Sequence, residues 1–260
     1  MAGQLSALPH PQRIKPADLF LPADSLTSPY ILIQTLAALY SNASVALHSV
    51  AGHDVELPLA VTGIAPTIIA ASAESASKLH DITRSRLTSS MQKFALRGQM
   101  QAFEAGHMPR KTLLDSIMPA ASVTLGNAPG KLRLIYVYER SNAESPPLSS
   151  IELAELRAFT GARIVYALTT PKVAGTVAQT HYFDYRVDNS SEDSKRPAKA
   201  HFGVPVSGVE IKVVDSGEFK TIEGQRPRGE IVAKGPAVLG GSANLGVIGT
   251  FQRDGTLVFV

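Results

Sequence analysis

The chain has 260 residues and a mass of 27.6 kDa, with 44% hydrophobic residues, 18% charged residues and neither cysteine nor tryptophan. This apolar fraction supports a sizeable core, and the length predicts one large domain or two small ones. The lack of cysteine excludes a disulfide scaffold, a cysteine-ligated zinc site, an iron–sulfur cluster and a thiol nucleophile. A formal charge of +3 is too small a surplus to indicate a nucleic-acid partner.

The N-terminal fifty residues predict neither a secretion signal nor a membrane span. Prolines interrupt the first twenty residues, which lack the unbroken apolar run of a signal peptide. The stretch Tyr30–Val50 has no charged residue and approaches the length of a membrane span, but Ser41-Asn42 is typical of a turn. We therefore favour a helix followed by a core strand over a transmembrane helix, and expect an intracellular protein, cytoplasmic or peripheral to a membrane.

Helices alternate with apolar strands in the first two-thirds of the chain. In chain order, the patterns predict a helix over Ile31–Tyr40, a strand over Ser44–His48, a helix over Asp54–Thr62, a strand over Thr67–Ala71, an amphipathic helical segment over Ala73–Ala105, a helix over Lys111–Met118, a strand over Leu132–Tyr138, a helix over Ser149–Phe159 and a strand over Ala162–Tyr166. Ser149 is the expected N-cap of the last helix, and Gly161 its end. This order predicts an α/β fold with a partial parallel sheet and helical crossovers.

The last third changes character. A polar segment, Asp188–Lys199, precedes short alternating strands at Glu210–Val214, Gly229–Ala233 and Thr256–Val260, with glycine-rich turns between them. This pattern predicts a small antiparallel β-barrel-like subdomain. We accordingly divide the chain into an N-terminal extension (1–17), an α/β subdomain (18–187), a polar loop (188–200) and a β subdomain (201–260).

Residue motifs alone leave the chemistry open. The seven histidines show no HExxH arrangement, Gly-x-Ser-x-Gly is absent, and Gly126–Lys131 lacks the spacing of a nucleotide-binding P-loop. We therefore expect no metal site. The basic helical stretch 78–97 could contact an anionic membrane or a partner, although an ordinary solvated face is the simpler interpretation.

Several segments in a fixed order carry a family resemblance. They are Leu36–Ala43, Ala65–Ile69, Leu132–Ile135, Leu156–Thr170, Phe202–Asp215, Arg226–Val238 and Gly246–Leu257. Together they resemble the AMP-binding, adenylate-forming acyl-CoA synthetases, and the "PRGE…GPxV…G" run beginning at Arg226 is most similar to the long-chain fatty acid–CoA ligase branch. The resemblance covers roughly residues 18–260.

This resemblance implies a two-step reaction, in which a carboxylate attacks the α-phosphate of ATP and coenzyme A then takes the acyl group. The family uses a phosphate loop, a Glu that holds Mg²⁺, an Asp that binds the ribose, and a Lys from a mobile C-terminal domain. Its YGxTE motif corresponds here to Tyr166, Ala167, Leu168, Thr169 and Thr170, so a neutral threonine, Thr170, replaces the metal-holding Glu. The ribose-binding Asp falls on Val247, which accepts no hydrogen bond.

Further departures predict a truncated and degenerate relative. In register, the phosphate loop falls before residue 1 and the Lys-bearing domain after Val260. The family's glycine-rich pocket segment is replaced by Glu139–Pro147, and its "PLAH" histidine position reads Ala23–Ser25. Of the YGxTE motif, Thr169 is retained together with Tyr166, as part of a nucleotide-binding remnant over residues 166–169.

The resemblance therefore predicts a catalytically inactive pseudoenzyme with a binding or structural role. The alternative is a fragment of, or a subunit contributing to, an ATP-dependent long-chain fatty acid–CoA ligase. We expect no cofactor, and ATP, Mg²⁺ and CoA only if the family activity is retained. Expected partners are a protein covering the face left by missing domain halves, an acyl ligand, and a peripheral membrane contacted through residues 78–97, but no nucleic acid.

Overall fold

The computed structural model describes residues 7–49, 51–109, 125, 132–188, 198–221 and 226–260. Its larger sheet has seven strands in the order β2-β1-β3-β4-β5-β6-β7. They are β1 (Leu19–Pro22), β2 (Ser44–Val45), β3 (Ile68–Ser72), β4 (Leu134–Arg140), β5 (Arg163–Thr169), β6 (Ala178–Gln179) and β7 (Val204–Pro205). The first five are parallel, while β6 and β7 are added antiparallel. The predicted partial parallel sheet is confirmed.

Helices cover both faces of this sheet. They are α1 (Pro29–Tyr40), α2 (Leu57–Ala60), α3 (Ala73–Ser85), α4 (Ser90–Glu104) and α5 (Ser150–Thr160). Because side chains alternate along a strand, Ile68 and Ala70 pack with α1 on one face, while Ile69 and Ala71 pack with α3 and α5 on the other. This double covering explains why the strands are continuous apolar runs.

Helix α5 begins and ends where its capping residues predict. The Ser149 hydroxyl accepts a hydrogen bond from the Glu152 backbone N–H at 3.2 Å, and the Glu152 carboxylate accepts one from the Ser149 backbone N–H at 2.7 Å. Gly161 ends the helix in the left-handed region with φ 65°. The following strand β5 runs to Thr169, three residues further than predicted, and β4 runs to Arg140.

The long helical segment predicted over Ala73–Ala105 is two helices. Helix α3 ends at Ser85, and Ser89 begins α4 through a capping box with Gln92. The serine side chain can hydrogen-bond to the nearby backbone outside a helix, and serine is a favourable N-cap. The Thr88-Ser89-Ser90 run therefore ends one helix and begins the next, although the apolar residues keep a helical period. The basic stretch 78–97 is therefore divided between two helices.

Two predicted elements are shorter in the structure. The helix expected over Asp54–Thr62 is one turn, Leu57–Ala60, with Pro58 in its first turn, where a missing N–H is tolerated. The strand expected over Ser44–His48 comprises Ser44–Val45 at the sheet edge. Among the described residues, no helix has the length and apolar character needed to cross a membrane. The helix predicted over Lys111–Met118, the Gly126–Lys131 turn and most of the polar loop 188–200 lie outside the described residues.

A second, antiparallel sheet of four strands has the order β11-β10-β9-β8. Its strands are β8 (Glu210–Val214), β9 (Arg228–Lys234), β10 (Ser242–Phe251) and β11 (Leu257–Phe259). The antiparallel subdomain is thus confirmed, but its longest strand, β10, was not predicted. Gly246 and Gly249 resemble turn residues in sequence, and the pairing of β10 shifts register between Asn244 and Ile248.

The two sheets meet around Phe202. Its ring stacks on Tyr166 of β5 with centroids 4.9 Å apart, and its backbone N–H donates to the carbonyl of Leu257 in β11 at 2.8 Å. Strand β7, which begins only two residues later, pairs with β6 in the larger sheet. The division of the chain into an α/β and a β subdomain stays a prediction.

Candidate functional site

The carboxyl ends of the parallel strands β4 and β5 open onto a cavity of about 190 Å³. Residues 27–30 at the start of α1, His53, Arg140, Asn142 and residues 169–171 line it. Ligands of open α/β sheets bind beyond the carboxyl ends of the strands, because the loops there diverge and leave a crevice. We therefore take this cavity as the candidate functional site.

A buried carboxylate positions the imidazole at this cavity. Asp24 follows β1, is 1% exposed, and accepts a 2.5 Å hydrogen bond at Oδ2 from Nδ1 of His53. The Tyr138 hydroxyl donates to the same carboxylate oxygen, and the Ser25 N–H donates to the other at 2.5 Å. The His53 side chain is 45% exposed, so buried Asp24 holds one edge of the ring while the rest of the ring faces solvent. Such a ring is suited to form a hydrogen bond with a ligand at Nε2.

The start of α3 holds the backbone of His53. The Ser72 hydroxyl donates to the His53 carbonyl, and the Ser75 hydroxyl donates to the same oxygen at 3.3 Å. Ser72 is also the N-cap of α3, accepting from the Ser75 N–H at 3.1 Å. One capping residue thus fixes both a helix and the loop that carries the imidazole.

Arg140, another lining residue, brings a positive charge to the cavity. Its Nη2 donates to Oε1 of Glu74 at 2.5 Å, with the side chains 29% and 13% exposed respectively. Burial raises the pKa of the Glu74 carboxyl, but the Arg140 hydrogen bond and charge outweigh it and the pKa is lowered. The pair is therefore ionised, and the cavity combines a guanidinium, an imidazole and threonine hydroxyls. This combination suits a small anionic or polar ligand.

The predicted motif residues divide between the two faces of β5. Thr169 and Thr170 line the cavity, where the Thr169 hydroxyl donates to the Glu139 carbonyl at 2.9 Å. Ala167 lies on the same face but is buried against α1. Tyr166 and Leu168 lie on the other face, within the main core. The structure thus brings only the end of the motif to the cavity.

Tyr166 is a core residue with a polar partner. Its hydroxyl donates to Oε2 of Glu139 at 2.9 Å, and both residues are at most 1% exposed. Burial raises the pKa of Glu139 to about 7, although the Tyr166 hydrogen bond opposes the change. Glu139 is not among the residues that line the cavity, so this carboxyl serves the core rather than a ligand.

Val247, the predicted counterpart of the ribose-binding residue, lies in β10. It is half-buried and packs against the main apolar core. It is not among the lining residues of the cavity. Its side chain therefore contributes to packing in the second sheet.

The residues at this edge do not fit a magnesium–triphosphate complex. Mg²⁺ prefers carboxylate oxygens and phosphates, whereas residue 170 offers a neutral hydroxyl. Three carboxylates lie nearby. Asp24 accepts from Tyr138 and His53, one oxygen of Glu74 accepts from Arg140, and one oxygen of Glu139 accepts from Tyr166, while Oε2 of Glu74 and Oε1 of Glu139 are buried without a partner in the described part of the chain. Within the described ranges, no group of three or more acidic or histidine side chains could hold a metal.

Solved structures with this fold are numerous, although no protein-family model and no curated protein matches the sequence. An anthranilate CoA ligase bound to anthranoyl-AMP matches 99% of the chain with a TM-score of 0.60 and 15% identity. A benzoate CoA ligase from Burkholderia xenovorans LB400 matches 95% with a TM-score of 0.59 and 14% identity. The o-succinylbenzoate CoA synthetase of Bacillus subtilis, solved with ATP and magnesium, matches 99% with a TM-score of 0.57 and 16% identity.

The chain has the fold of the adenylate-forming enzymes. It spans less than half of each of these three structures, 42% of the first two and 44% of the third. At 14–16% identity the likeness establishes the fold alone. What those ligases bind and transform is therefore a basis for proposals about this chain.

Sequence patterns do not single out the polar residues that line or support the cavity. The resemblance places Asp24 at a family histidine position and Arg140 within a replaced segment, and no motif includes His53. A polar residue directly after an apolar strand was the available signal for Asp24. His53 lies in an irregular segment, and no pattern in the sequence connects it to Asp24, 29 positions away.

Proposed function

We propose that this chain is an AMP-binding, long-chain acyl-CoA synthetase-like protein that lacks ligase activity of its own and has a binding or structural role. The observation that carries this proposal is Thr170. It lies at the cavity, and the sequence resemblance aligns it with the metal-holding carboxylate of the family motif. A hydroxyl cannot replace a carboxylate's charge toward Mg²⁺, and metal-assisted charge stabilisation contributes orders of magnitude to phosphoryl chemistry.

The cavity keeps features of a ligand site after this loss. Arg140 and the oriented His53 ring face a space lined by Thr169 and Thr170. These groups favour an anion such as a carboxylate, which a guanidinium recognises through charge-assisted hydrogen bonds. The long-chain character of the acyl group rests only on the segment Arg226–Val238 and is part of the proposal.

Calorimetry and an activity assay test the proposal together. The chain is titrated with ATP and Mg²⁺, and separately assayed for acyl-CoA formation from a long-chain fatty acid, ATP and CoA. We expect no binding of the nucleotide at millimolar concentration and no product above the enzyme-free rate. Turnover, or binding of the nucleotide at millimolar concentration or tighter, would overturn it.

Two glutamate substitutions, one at the cavity and one away from it, test whether residue 170 controls metal binding. Thr170→Glu returns the family's acidic residue, whereas Thr62→Glu places the same charge on an exposed helix end away from the cavity. We expect Mg²⁺-dependent nucleotide binding to gain strength in Thr170→Glu only. An equal effect in both variants would show that residue 170 does not control metal affinity.

A second candidate is a subunit or segment that contributes to a complete ligase. Helix α1 favours it, because the helix has no charged residue and Leu32, Leu36, Leu39 and Tyr40 are 42–69% exposed. Positions 32, 36, 39 and 40 share one side of a helix, so they form a continuous apolar face. The matching ligase structures are more than twice as long as this chain, enough to provide a covering element.

Transcript sequencing decides between the two candidates. An in-frame phosphate-loop segment upstream, or a Lys-bearing domain downstream, would establish the chain as part of a longer ligase. A mature transcript bounded by this open reading frame, together with inactivity of the purified chain, would support the pseudoenzyme.

A further inference from the structure

Helix α4 and the turn before it form an unusually basic surface. From Ile82 to Phe103 the sequence contains four basic residues, Arg84, Arg86, Lys93 and Arg97, and no acidic residue. All four are exposed. The net charge of the whole chain is only +3, so this one segment carries a local surplus larger than the total.

Large apolar side chains stand on the same surface. Phe94 is 70% exposed and Met91 is 58% exposed, whereas Ala95, Leu96 and Phe103 of the same helix are buried. Phe94 thus lies on the side of α4 away from the core, next to Lys93 in sequence and one turn from Arg97. An exposed aromatic residue among cations is the composition of helices that lie in a lipid–water interface.

A concave surface adjoins these cations. A groove of about 590 Å³ is lined by three cations, Arg84, Lys93 and Arg97, by apolar residues that include Leu87, Leu96 and Met100, and by the carboxylates of Glu104 and Glu155. Arg84 is partly engaged, because its guanidinium donates to the buried carboxylate of Glu155. No ion pair within the described ranges involves Lys93 or Arg97. These two cations are therefore available to an anionic group entering the groove.

We propose that α4 and residues 86–89 dock on an anionic lipid membrane. Phe94 and Met91 enter the interface, while Arg86, Lys93 and Arg97 contact lipid phosphates, and the groove receives a headgroup. The exposed phenylalanine favours a bilayer over a soluble polyanion, because a polyanion would leave the ring in water. The contact is peripheral, since the inward face of α4 is committed to the protein core.

Vesicle flotation tests this docking surface with the full chain. The probes are neutral phosphatidylcholine vesicles and vesicles with about 30% phosphatidylserine. We expect the protein to float with the anionic vesicles at low salt and to dissociate at about 0.5 M salt, where charges are screened within a few ångströms. Flotation with neutral vesicles to the same extent would overturn the electrostatic part of the proposal.

Substitutions separate the surface from the rest of the molecule. Lys93→Ala/Arg97→Ala is expected to lower the partition coefficient roughly thirtyfold, given about 1 kcal/mol for each cation near the surface. Phe94→Ala is expected to lower it several-fold at constant charge. The matched controls are Lys212→Ala/Arg253→Ala, which removes two exposed cations from the β subdomain, and Leu239→Ala, which removes a side chain that is 77% exposed.

Each result decides the proposal. Loss of flotation in the α4 variants, with the controls and the thermal unfolding of all variants unchanged, supports it. A wild-type protein that remains at the bottom of the gradient in low salt, or controls that weaken binding as much as the α4 variants, would refute it. Binding of monomeric fatty acid without flotation would refute it in favour of a single amphiphile in the groove.

Discussion

The carboxylate of Asp24 and the imidazole of His53 are joined by a 2.5 Å hydrogen bond between Oδ2 and Nδ1. One partner is almost completely buried and the other is nearly half exposed. The same carboxylate also accepts from Tyr138, which links the end of β4 to the end of β1. Asp24 therefore stabilises the carboxyl edge of the sheet and orients a ring at the candidate cavity.

Asp24→Asn should lower the free energy of unfolding by about 1–3 kcal/mol, because a buried amide cannot satisfy the Tyr138, His53 and Ser25 donors together. Urea unfolding at neutral pH measures the change. Asp54→Asn is the matched control, since Asp54 is 67% exposed and, among the described residues, forms a surface ion pair with Lys78. An equal loss in both variants would contradict the structural role of Asp24.

Glu139 should make the protein less stable as the pH rises. Burial raises its pKa from 4.5 to about 7, so the folded state binds this proton more tightly than the unfolded state. Stability contributed by the protonated form is present at pH values below 4.5 and is lost as the pH rises through about 7.

Glu139→Gln removes this titration and keeps an acceptor for the Tyr166 hydroxyl. The variant should be more stable than the wild type by roughly 2–3 kcal/mol well above neutral pH, with little difference at acid pH. Denaturant unfolding across the pH range measures the difference. A constant difference between the two proteins at every pH would show that the Glu139 carboxyl does not titrate as proposed.

Gly203→Ala should be strongly destabilising, by about 3 kcal/mol or more. Gly203 has φ +75°, and a Cβ there would lie 2.1 Å from the Gln179 carbonyl oxygen, where β6 meets the segment that connects the two sheets. Gly217→Ala is the control, because Gly217 also has a positive φ, +57°, but open space around it. Thermal unfolding compares the two, and similar costs would argue against a steric constraint at Gly203.

The apolar face of α1 should drive self-association of the isolated chain. Leu36→Gln/Leu39→Gln should reduce association without changing the free energy of unfolding by more than about 0.5 kcal/mol, since both side chains are already 45–53% exposed. Sedimentation velocity measures the association. A wild-type chain that is monomeric and unfolds in one sharp transition would contradict the need for a covering partner.

Local patterns determined much of the fold. Ser149 and Gly161 predicted the ends of α5, and the apolar runs at Thr67–Ala71 and Ala162–Tyr166 predicted strands that the structure forms as β3 and β5. These signals are local, because capping and alternation act between residues a few positions apart. The segment order also anticipated the adenylate-forming fold, which the solved structures bear out.

Other features depended on residues far apart in the chain. Strand β10 contains glycines that resemble turns, and only pairing with β9 and β11 makes it a strand. The cavity is lined by His53 and Arg140, and buried Asp24 holds the His53 ring, although no spacing in the sequence connects the three residues. Tyr166 and Thr169 belong to one motif but lie on opposite faces of β5, because successive side chains of a strand alternate. Tyr166 lies in the core, and Thr169 lines the cavity.

The sequence by itself thus determined the capped helix α5, the buried parallel strands β3, β4 and β5, and the residue types at the motif positions, because capping and strand burial are decided by near neighbours. Only the tertiary structure decided which polar groups meet. The pairing of parallel strands, whose partners are separated by helical crossovers, sets their carboxyl ends side by side and brings Asp24, His53, Arg140 and Thr170 to one edge.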